Sequence, residues 1–187
     1  MNKTTVALTQ EQYTEIIKTM REGFSGCRPN DRVAMALIIE ANLGLRVSDI
    51  TNLKLKDIIK DGDRYRLDIV EQKTDKKRTF TVPTPLYQYI QQYCIDNGIK
   101  SNEIIFNITE RAVQKQLKLV CDYLGYENIG THSFRKFFAT NIYVNSDYNI
   151  SLVQTLLQHS SPSITQRYIG IGSKELEQAL ENNLNLI

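Results

Sequence analysis

The pattern of apolar and polar positions predicts two helices at the start of the chain. Thr9 and Gln12 have the spacing of a capping box. The apolar residues that follow recur at helical spacing: Tyr13, Ile16, Ile17 and Met20. Asn30 is a suitable N-cap for a second helix, which we expect Gly44 to terminate. Because apolar residues occupy most of the circumference of this second helix, we expect it to lie at the centre of the fold.

The periodicity changes between about residues 57 and 83. Residues 64–70 and 78–82 alternate polar and apolar side chains and are rich in β-branched residues, which is typical of strands. Residues 72–77 are polar and form the turn between them. This region therefore predicts a small antiparallel sheet with Lys73 in a hairpin turn.

Helical spacing returns after the sheet. Thr84-Pro85 opens a helix that ends before Gly98. Its predicted inner face consists of Leu86, Tyr89, Ile90 and Tyr93. A further helix, from about residue 113 to 124, is closed by Gly125. The fold class that results is α+β and mainly helical.

The last third of the chain contains three shorter signals for helices. Thr131 is predicted to cap a helix that carries His132 and Arg135 on one face, since they are three residues apart. Residues 150–158 form a short apolar helix that ends at His159, and Ser161-Pro162 begins the helix that carries Tyr168.

Composition bounds the class of protein. A chain of 187 residues with 41% hydrophobic and 24% charged residues suits one globular domain and argues against disorder. The longest strongly apolar run, residues 33–39, is too short to span a membrane, and the N-terminus lacks a signal-peptide pattern. We therefore expect a cytoplasmic protein with no membrane partner.

The cysteines do not indicate a bridge or a metal site. Cys27, Cys94 and Cys121 are odd in number and share no metal-ligand spacing. We therefore interpret them as ordinary thiols in a reducing compartment.

The net charge of +2 alone does not identify a nucleic-acid binder, but its distribution is uneven. Cations cluster at Lys54, Lys56 and Lys60, at Lys73, Lys76, Lys77 and Arg78, and at Arg135 and Lys136. These clusters fit either a DNA-facing groove or a solvated surface, and charge alone leaves both interpretations open.

Six residues spread along the chain carry the chemistry: Arg46, Lys73, His132, Arg135, His159 and Tyr168. Arg46 lies in the sequence Gly-Leu-Arg-Val-Ser-Asp, and His132 and Arg135 form a His-x-x-Arg motif. Tyr168 follows His159 by nine positions. Together with a lysine in a hairpin, this order resembles the tyrosine recombinase (phage integrase) family over roughly residues 9–172.

Three positions depart from the family pattern. Asp49 stands where the family usually has a glutamate, and we expect it to support the pocket around Arg46 with a shorter side chain. Gln158 replaces the glycine before His159, and Lys136 replaces a common histidine after Arg135. None of these changes removes a reacting group.

The resemblance implies a catalytic role for each of the six residues. Tyr168 would attack the scissile phosphate and form a 3′-phosphotyrosyl intermediate. Arg46 and Arg135 would clasp the phosphate, and His159 would add a hydrogen bond. His132 would manage the proton of the tyrosine, and Lys73 would act as general acid. No cofactor is expected, and these cations would replace the metal ion of many nucleases.

The resemblance also implies partners and a domain organisation. Double-stranded DNA would be the substrate, and four subunits would assemble on it, although the free chain is expected to be a monomer. Residues 1–172 would form the catalytic domain, a mainly helical α+β fold with a small antiparallel three-stranded sheet. No N-terminal core-binding domain is expected, so the chain would be either an excised catalytic domain or a naturally short recombinase. The source is expected to be a phage, another mobile element or an invertible locus.

The end of the chain has an apolar stripe that is open to two interpretations. Ser173 can cap a last helix over residues 173–187, in which one face collects Leu176, Leu180, Leu184 and Ile187. This stripe would pack either on the chain's own core or, as in the family, on a neighbouring protomer. The pattern favours neither.

Two other functions compete with recombination. The first is a catalytically silent DNA-binding accessory or regulatory protein of the same fold. Retention of all six groups argues against it. The second is a type IB topoisomerase-like enzyme that nicks and reseals DNA, although the short interval from the His-x-x-Arg motif to the tyrosine resembles recombinases more.

Overall fold

A computed structural model describes residues 5–170, together with residues 181 and 183. The chain divides into two compact units, of which the first ends at Phe138 and the second begins at Ala139. The first contains helices α1 (Gln10–Glu22), α2 (Asp31–Leu43), α3 (Val47–Thr51), α4 (Thr84–Asp96) and α5 (Glu110–Leu124), strands β1 (Ile58–Asp61), β2 (Arg64–Val70) and β3 (Lys77–Val82), and the start of α6 (Thr131–Asn145). The second contains the rest of α6, then α7 (Ile150–Leu157) and α8 (Pro162–Ile169).

The first two helices begin and end where their caps predict. Thr9 and Gln12 form the capping box of α1, with Thr9 Oγ1 accepting from the Gln12 N–H at 3.1 Å. The side chain of Asn30 accepts from the Val33 N–H at the start of α2. Gly44 ends α2 in the left-handed region with a φ of 56°. These predictions are confirmed because they depend on hydrogen bonds between near neighbours, which the sequence displays directly.

Helix α2 lies at the centre of the first unit, as its apolar circumference predicts. One of its faces packs with α1, α5 and the start of α6, through residues such as Val33 and Leu37. Another face, with Met35 and Ile39, packs with α3, α4 and the sheet. The position of α2 between two apolar clusters fixes its C-terminus, and Arg46 follows three residues after its last residue, Leu43.

The predicted antiparallel sheet is confirmed, with strand order β1-β2-β3. Leu67 in the central strand pairs with Ile58 on one side and with Phe80 on the other. Leu67 and Ile58 are buried, so one face of the sheet joins the core. The loop between β2 and β3 is the predicted hairpin, and Lys73 is exposed within it.

Two local predictions were wrong. Tyr89 was placed on the inner face of α4, but it is 41% exposed and its hydroxyl accepts a hydrogen bond from Arg21 Nη2. Thr131 is the first residue of α6 rather than its N-cap. The residue before it, Gly130, donates its N–H to Ser133 Oγ at 3.1 Å. The side chain of Ser133, two positions after Thr131, therefore satisfies a backbone donor at the start of α6.

The predictions for α7 and α8 are confirmed, since α7 ends at Leu157, two residues before His159, and Ser161 is the N-cap of α8. The predicted last helix over residues 173–187, with its apolar stripe, lies outside the described residues apart from positions 181 and 183. Within the described residues, every helix is too short or too polar to cross a bilayer.

Candidate active site

Arg46 occupies the joint between α2 and α3. Gly44 turns the chain out of α2, and Arg46 follows in extended conformation as the N-cap residue of α3. A Cβ atom on residue 44 would approach Phe138 Cδ1 to 2.3 Å, so only glycine fits this turn. The joint is therefore rigid, and it presents Arg46 with 19% of its side chain exposed.

A buried carboxylate that the motif does not include holds Arg46. Glu71 Oε2 accepts hydrogen bonds from Arg46 Nη1 and from Thr74 Oγ1, while Glu71 Oε1 accepts from Arg78 Nη1. Burial alone would raise the pKa of the Glu71 carboxyl, but the hydrogen bonds from Arg78, Thr74 and Arg46 hold this pKa at about 2. Glu71 is therefore ionised and fully buried.

Two buried arginines meet at the C-terminus of α2. Arg78 Nη2 donates to the carbonyls of Leu43 and Gly44, both at 3.2 Å, and Arg135 Nη1 donates to the same Gly44 carbonyl. The last carbonyls of a helix lack partners within the helix and carry its negative dipole end, so they favour cations. Burial and the charge of Arg135 lower the pKa of Arg78 to about 10, which leaves it protonated at neutral pH.

His132 lies among cations from distant parts of the sequence. It is the second residue of α6, and its side chain is exposed at the surface of the first unit. Partial burial of the ring and the positive charges of Arg135, Lys73 and Arg46 hold the pKa of His132 below its usual value. His132 is therefore neutral at pH 7 and has a ring nitrogen that can accept a proton.

Asp49 contacts the start of the hairpin rather than Arg46. Its Oδ1 accepts the Gln72 N–H at 2.8 Å, and its Oδ2 has no hydrogen-bond partner among the described residues. Asp49 is buried. The carboxylate that bridges to Arg46 in this part of the chain is Glu71.

A second buried carboxyl lies one helical turn before Gly44. Glu40 is 1% exposed, and neither of its carboxyl oxygens has a hydrogen-bond partner within the described residues. Burial raises the pKa of Glu40 well above its usual value, although the charge of Arg135 opposes this shift. Burial therefore favours the protonated, neutral form of the Glu40 carboxyl.

A cleft with a volume of about 310 Å³ adjoins the base of the hairpin. Its lining includes Gln72 from the hairpin, Asp49 from α3, and the side chains of Lys54 and Lys56. Lys56 is exposed and Lys54 is partly exposed. Part of the predicted cationic surface therefore lies beside the loop that carries Lys73.

His159 and Tyr168 lie together in the second unit. Helix α7 ends at Leu157, and its C-cap residue Gln158 adopts the left-handed conformation with a φ of 55°. His159 follows, and its N–H donates to the Gln154 carbonyl at 3.1 Å. The rings of His159 and Tyr168 meet edge to face, with centroids 5.1 Å apart. The half-buried tyrosine and the histidine are thus near neighbours within this unit.

Thr165 fixes the ring of His159. Thr165 is fully buried, and its hydroxyl lies 3.0 Å from His159 Nδ1. This contact fixes the orientation of the imidazole ring through Nδ1. Thr165 precedes Tyr168 by three residues on α8, so helical spacing alone would have placed both on one face.

The structure thus groups the six predicted residues in two sets. Arg46, Lys73, His132 and Arg135 belong to the first unit, where the charges of the other three act on His132. His159 and Tyr168 form a contacting pair in the second unit. Sequence reasoning missed Glu71, Arg78 and Thr165, which fix members of these sets.

Comparison with known sequences identifies relatives of this chain. A model of the phage integrase family matches residues 7–174. The probable integrase/recombinase YoeC of Bacillus subtilis is 37% identical over 149 residues, which cover 76% of this chain and 79% of that protein. The tyrosine recombinase XerA of Pyrococcus furiosus is 28% identical, over 94% of this chain and 60% of its own length.

Comparison with solved structures finds the same fold. A post-cleavage complex of the XerH site-specific recombinase with palindromic difH DNA superposes with a TM-score of 0.71 at 22% identity. The match covers 96% of this chain and 54% of XerH. The catalytic domain of bacteriophage HP1 integrase gives a TM-score of 0.67 at 19% identity and is covered to 95%. The chain therefore has the fold of a tyrosine recombinase catalytic domain and spans little more than half of XerH.

Proposed function

Because the chain belongs to the phage integrase family, we propose that it cleaves and rejoins DNA strands as the catalytic part of a site-specific recombinase. The observation that carries this proposal is the linkage of Arg46 to Arg135 through Glu71, Arg78 and the Gly44 carbonyl, with the charges of Arg46, Lys73 and Arg135 all acting on His132. Cations at the positions of the family motif are what a pentacoordinate phosphate needs, because negative charge accumulates on its non-bridging oxygens.

The reaction begins with attack of the Tyr168 hydroxyl oxygen on phosphorus. The bond between this oxygen and phosphorus forms as the bond to the 5′ oxygen breaks, and the phenol proton passes to neutral His132. Lys73 gives a proton to the departing 5′ oxygen. The products are a 3′-phosphotyrosyl enzyme and a DNA strand with a free 5′-hydroxyl group.

The phosphate is held by donors that carry fixed charges. Arg46 and Arg135 each have a planar guanidinium that can donate two parallel hydrogen bonds to phosphate oxygens. His159 adds a hydrogen bond to the phosphate, and Thr165 orients its ring. That the reaction needs no metal ion and no cofactor stays a prediction of this mechanism.

Rejoining is the reverse reaction on a new strand. A 5′-hydroxyl attacks the phosphotyrosine, its proton passes to Lys73, and the tyrosine leaves with a proton from His132. The energy of the phosphodiester is retained in the intermediate, so no ATP is consumed. Exchange between two duplexes requires assembly on DNA, and we propose four subunits that are monomeric before they bind it.

The biological setting belongs to the same proposal. The relatives whose names state a role are integrases and recombinases, and another structure of this fold is the integrase of transposon Tn1549 with circular intermediate DNA. We propose that this chain acts on the DNA of a phage or other mobile element, within the cytoplasm, by integration, excision or inversion.

A suicide substrate tests the chemistry. Duplexes that cover candidate element and chromosomal junctions, each nicked near the test site, would be incubated with the protein without added metal and analysed on a denaturing gel. We expect a covalent adduct that peptide mapping places at Tyr168, and no adduct with Tyr168→Phe. Tyr148→Phe is the matched control, because Tyr148 is an exposed tyrosine of the same unit.

The alternatives predict different results. Specific DNA binding without any adduct would favour the silent accessory protein. An adduct together with relaxation of supercoiled plasmid of unrelated sequence would favour a topoisomerase-like enzyme. An adduct that persists in Tyr168→Phe would remove Tyr168 from the role of nucleophile.

A further inference from the structure

Glu71 is built into the backbone of the hairpin that carries Lys73. It directly follows β2. Its N–H donates to the Lys76 carbonyl, and its own carbonyl accepts from the Asp75 N–H, both at 3.0 Å. These two backbone hydrogen bonds of Glu71 therefore close the hairpin loop that contains Lys73.

The side chain of Glu71 links this turn to Arg46. One carboxylate oxygen accepts from both Arg46 Nη1 and Thr74 Oγ1, and Thr74 is the residue after Lys73. The shared oxygen places the arginine and the hairpin at adjacent positions. A shift of the hairpin would therefore stretch the hydrogen bond that orients Arg46.

Arg78 anchors the other oxygen of Glu71 to the core. It is 1% exposed, donates to Glu71 Oε1 at 2.8 Å, and donates from its other terminal nitrogen to the carbonyls of Leu43 and Gly44. The Gly44 carbonyl also accepts from Arg135. Glu71 is thus tied through one side chain to the helix end that holds the second arginine of the motif.

Charge explains why an arginine occupies position 78. Glu71 by itself would neutralise Arg46 and weaken its attraction for a phosphate. With Arg78 protonated, the set of Arg46, Glu71 and Arg78 keeps a net charge of one positive unit. Arg46 makes its Glu71 hydrogen bond through Nη1, so other guanidinium donors are available for a ligand.

We propose that Glu71 is a positioning residue that orients Arg46 and the Lys73 hairpin together for catalysis. It does not contact the reacting atoms and acts through the arginine and the lysine. The inference rests on the recombinase activity proposed above. It assigns to Glu71 the support of Arg46 that the motif leads one to expect of Asp49, whose contact is with Gln72.

The principal test compares Glu71→Gln with wild type on a suicide substrate that the wild type cleaves. Glutamine keeps the shape but has one acceptor oxygen, so Arg46 and Arg78 cannot both keep their partners. We expect the cleavage rate at saturating DNA to fall about tenfold to a hundredfold, as small displacements of catalytic groups do. DNA affinity should stay within about threefold, since most phosphate contacts lie elsewhere.

A chemically altered substrate distinguishes positioning from general loosening of the fold. In a methylphosphonate, a methyl group replaces one non-bridging oxygen and removes the negative charge that Arg46 would neutralise. If Glu71 acts through Arg46, the rate deficit of Glu71→Gln should shrink at least severalfold on this substrate. An equal deficit on both substrates would mean a structural role and would overturn the proposal.

Asp75→Asn is the matched control. It removes a carboxylate from the same hairpin, and Asp75 is exposed with a positive φ that asparagine tolerates. We expect its cleavage rate to stay near that of wild type. A Glu71→Gln rate within threefold of wild type would also overturn the proposal. Failure of wild type to form the Tyr168 adduct is a separate outcome that contradicts the proposed function itself.

If Glu71→Gln does not fold, Thr74→Val tests the proposal instead. Thr74 is exposed, and this change removes only the hydroxyl that links the hairpin to Glu71. We expect slower cleavage that recovers on DNA with a 5′-thio leaving group, which needs little protonation, as Lys73→Ala should on the same DNA. Unchanged cleavage by Thr74→Val, or a deficit that the 5′-thio group leaves intact, would show that Glu71 does not position the lysine hairpin.

Discussion

Arg78 Nη1 and Glu71 Oε1 lie 2.8 Å apart with both side chains almost wholly buried. A buried ion pair contributes little net stability in general, because desolvation of the two charges offsets their attraction. Its presence between Arg46 and the end of α2 therefore points to orientation as its main role. The loss of one partner, in contrast, leaves a charge buried without compensation.

The first prediction concerns the pH dependence of stability. The pKa of Glu71 falls from an ordinary 4.5 to about 2 on folding, so its contribution is present above pH 4.5 and is lost as pH falls toward 2. This shift corresponds to about 3 kcal/mol. We expect Glu71→Gln to lower the free energy of unfolding by about that amount at pH 7, with a smaller difference near pH 2. Urea unfolding across this range measures it, and equal differences at both pH values would contradict it.

The contribution of Glu40 to stability should depend on pH with the opposite sign. Burial is the main reason that the pKa of Glu40 is raised on folding. The charge of Arg135 opposes this shift, and the charge of Glu110 adds to it. The contribution of Glu40 is fully present below pH 4.5 and is lost as pH rises through the folded value. Glu40→Gln should therefore gain stability relative to wild type between pH 5 and pH 8, as followed by thermal unfolding. Glu22→Gln, at an exposed position on α1, should show no such trend.

The family pattern has a glycine before His159, where this chain has Gln158. A pair of substitutions at this position tests whether backbone conformation explains the glycine. Gln158 adopts a φ of 55°, and a left-handed residue with a side chain costs roughly 1–2 kcal/mol. Gln158→Gly should therefore be more stable than Gln158→Ala by about 1 kcal/mol. At Thr155, inside α7, the same pair should reverse, with alanine the more stable by about 1 kcal/mol. Denaturant unfolding of the four variants checks both signs.

Local signals explain why most elements were predictable. The capping box at Thr9 and the glycine at position 44 act through neighbours in sequence, and the structure bears out both. The predicted cap at Thr131 failed at a site of the same kind, because Gly130 precedes the first residue of α6 and its N–H is bonded by Ser133 Oγ. Glycine is also tolerated at the N-cap, so the hydroxyl of Thr131 alone did not locate the helix start.

The supports of the candidate site were not predictable in the same way. Glu71 and Arg78 lie on either side of a polar hairpin, and in the sequence they look like solvated turn residues. Only the packing of β2 and β3 against the end of α2 makes them buried partners. Burial of a charged side chain depends on contacts between distant segments, and such contacts leave no periodic trace in the sequence.

The cleft beside the hairpin leads to a prediction about DNA affinity. Lys54 and Lys56 line it. If each contacts a phosphate, each substitution by glutamine should weaken binding similarly for all sequences and reduce the slope of log affinity against log salt by about 1. Lys118→Gln, at an exposed lysine paired with Asp122 on α5, is the control and should leave the slope unchanged. Fluorescence anisotropy at several salt concentrations measures it, and unaltered slopes would place the DNA elsewhere.

The pKa of His132 reports most directly on the cations that act on it, which include Arg135, Lys73 and Arg46. The chain has two histidines, so the His132 signals in an NMR titration are assigned with a His159→Asn variant. We expect the pKa of His132 to lie below 6.5 and to rise in Lys73→Gln, because the charge of Lys73 helps to lower it. Lys76→Gln, in the same hairpin, should cause less change. Because His132 must be neutral to take the tyrosine proton, cleavage should slow as pH falls through this pKa. A rate that stays constant through it would assign the proton to another acceptor.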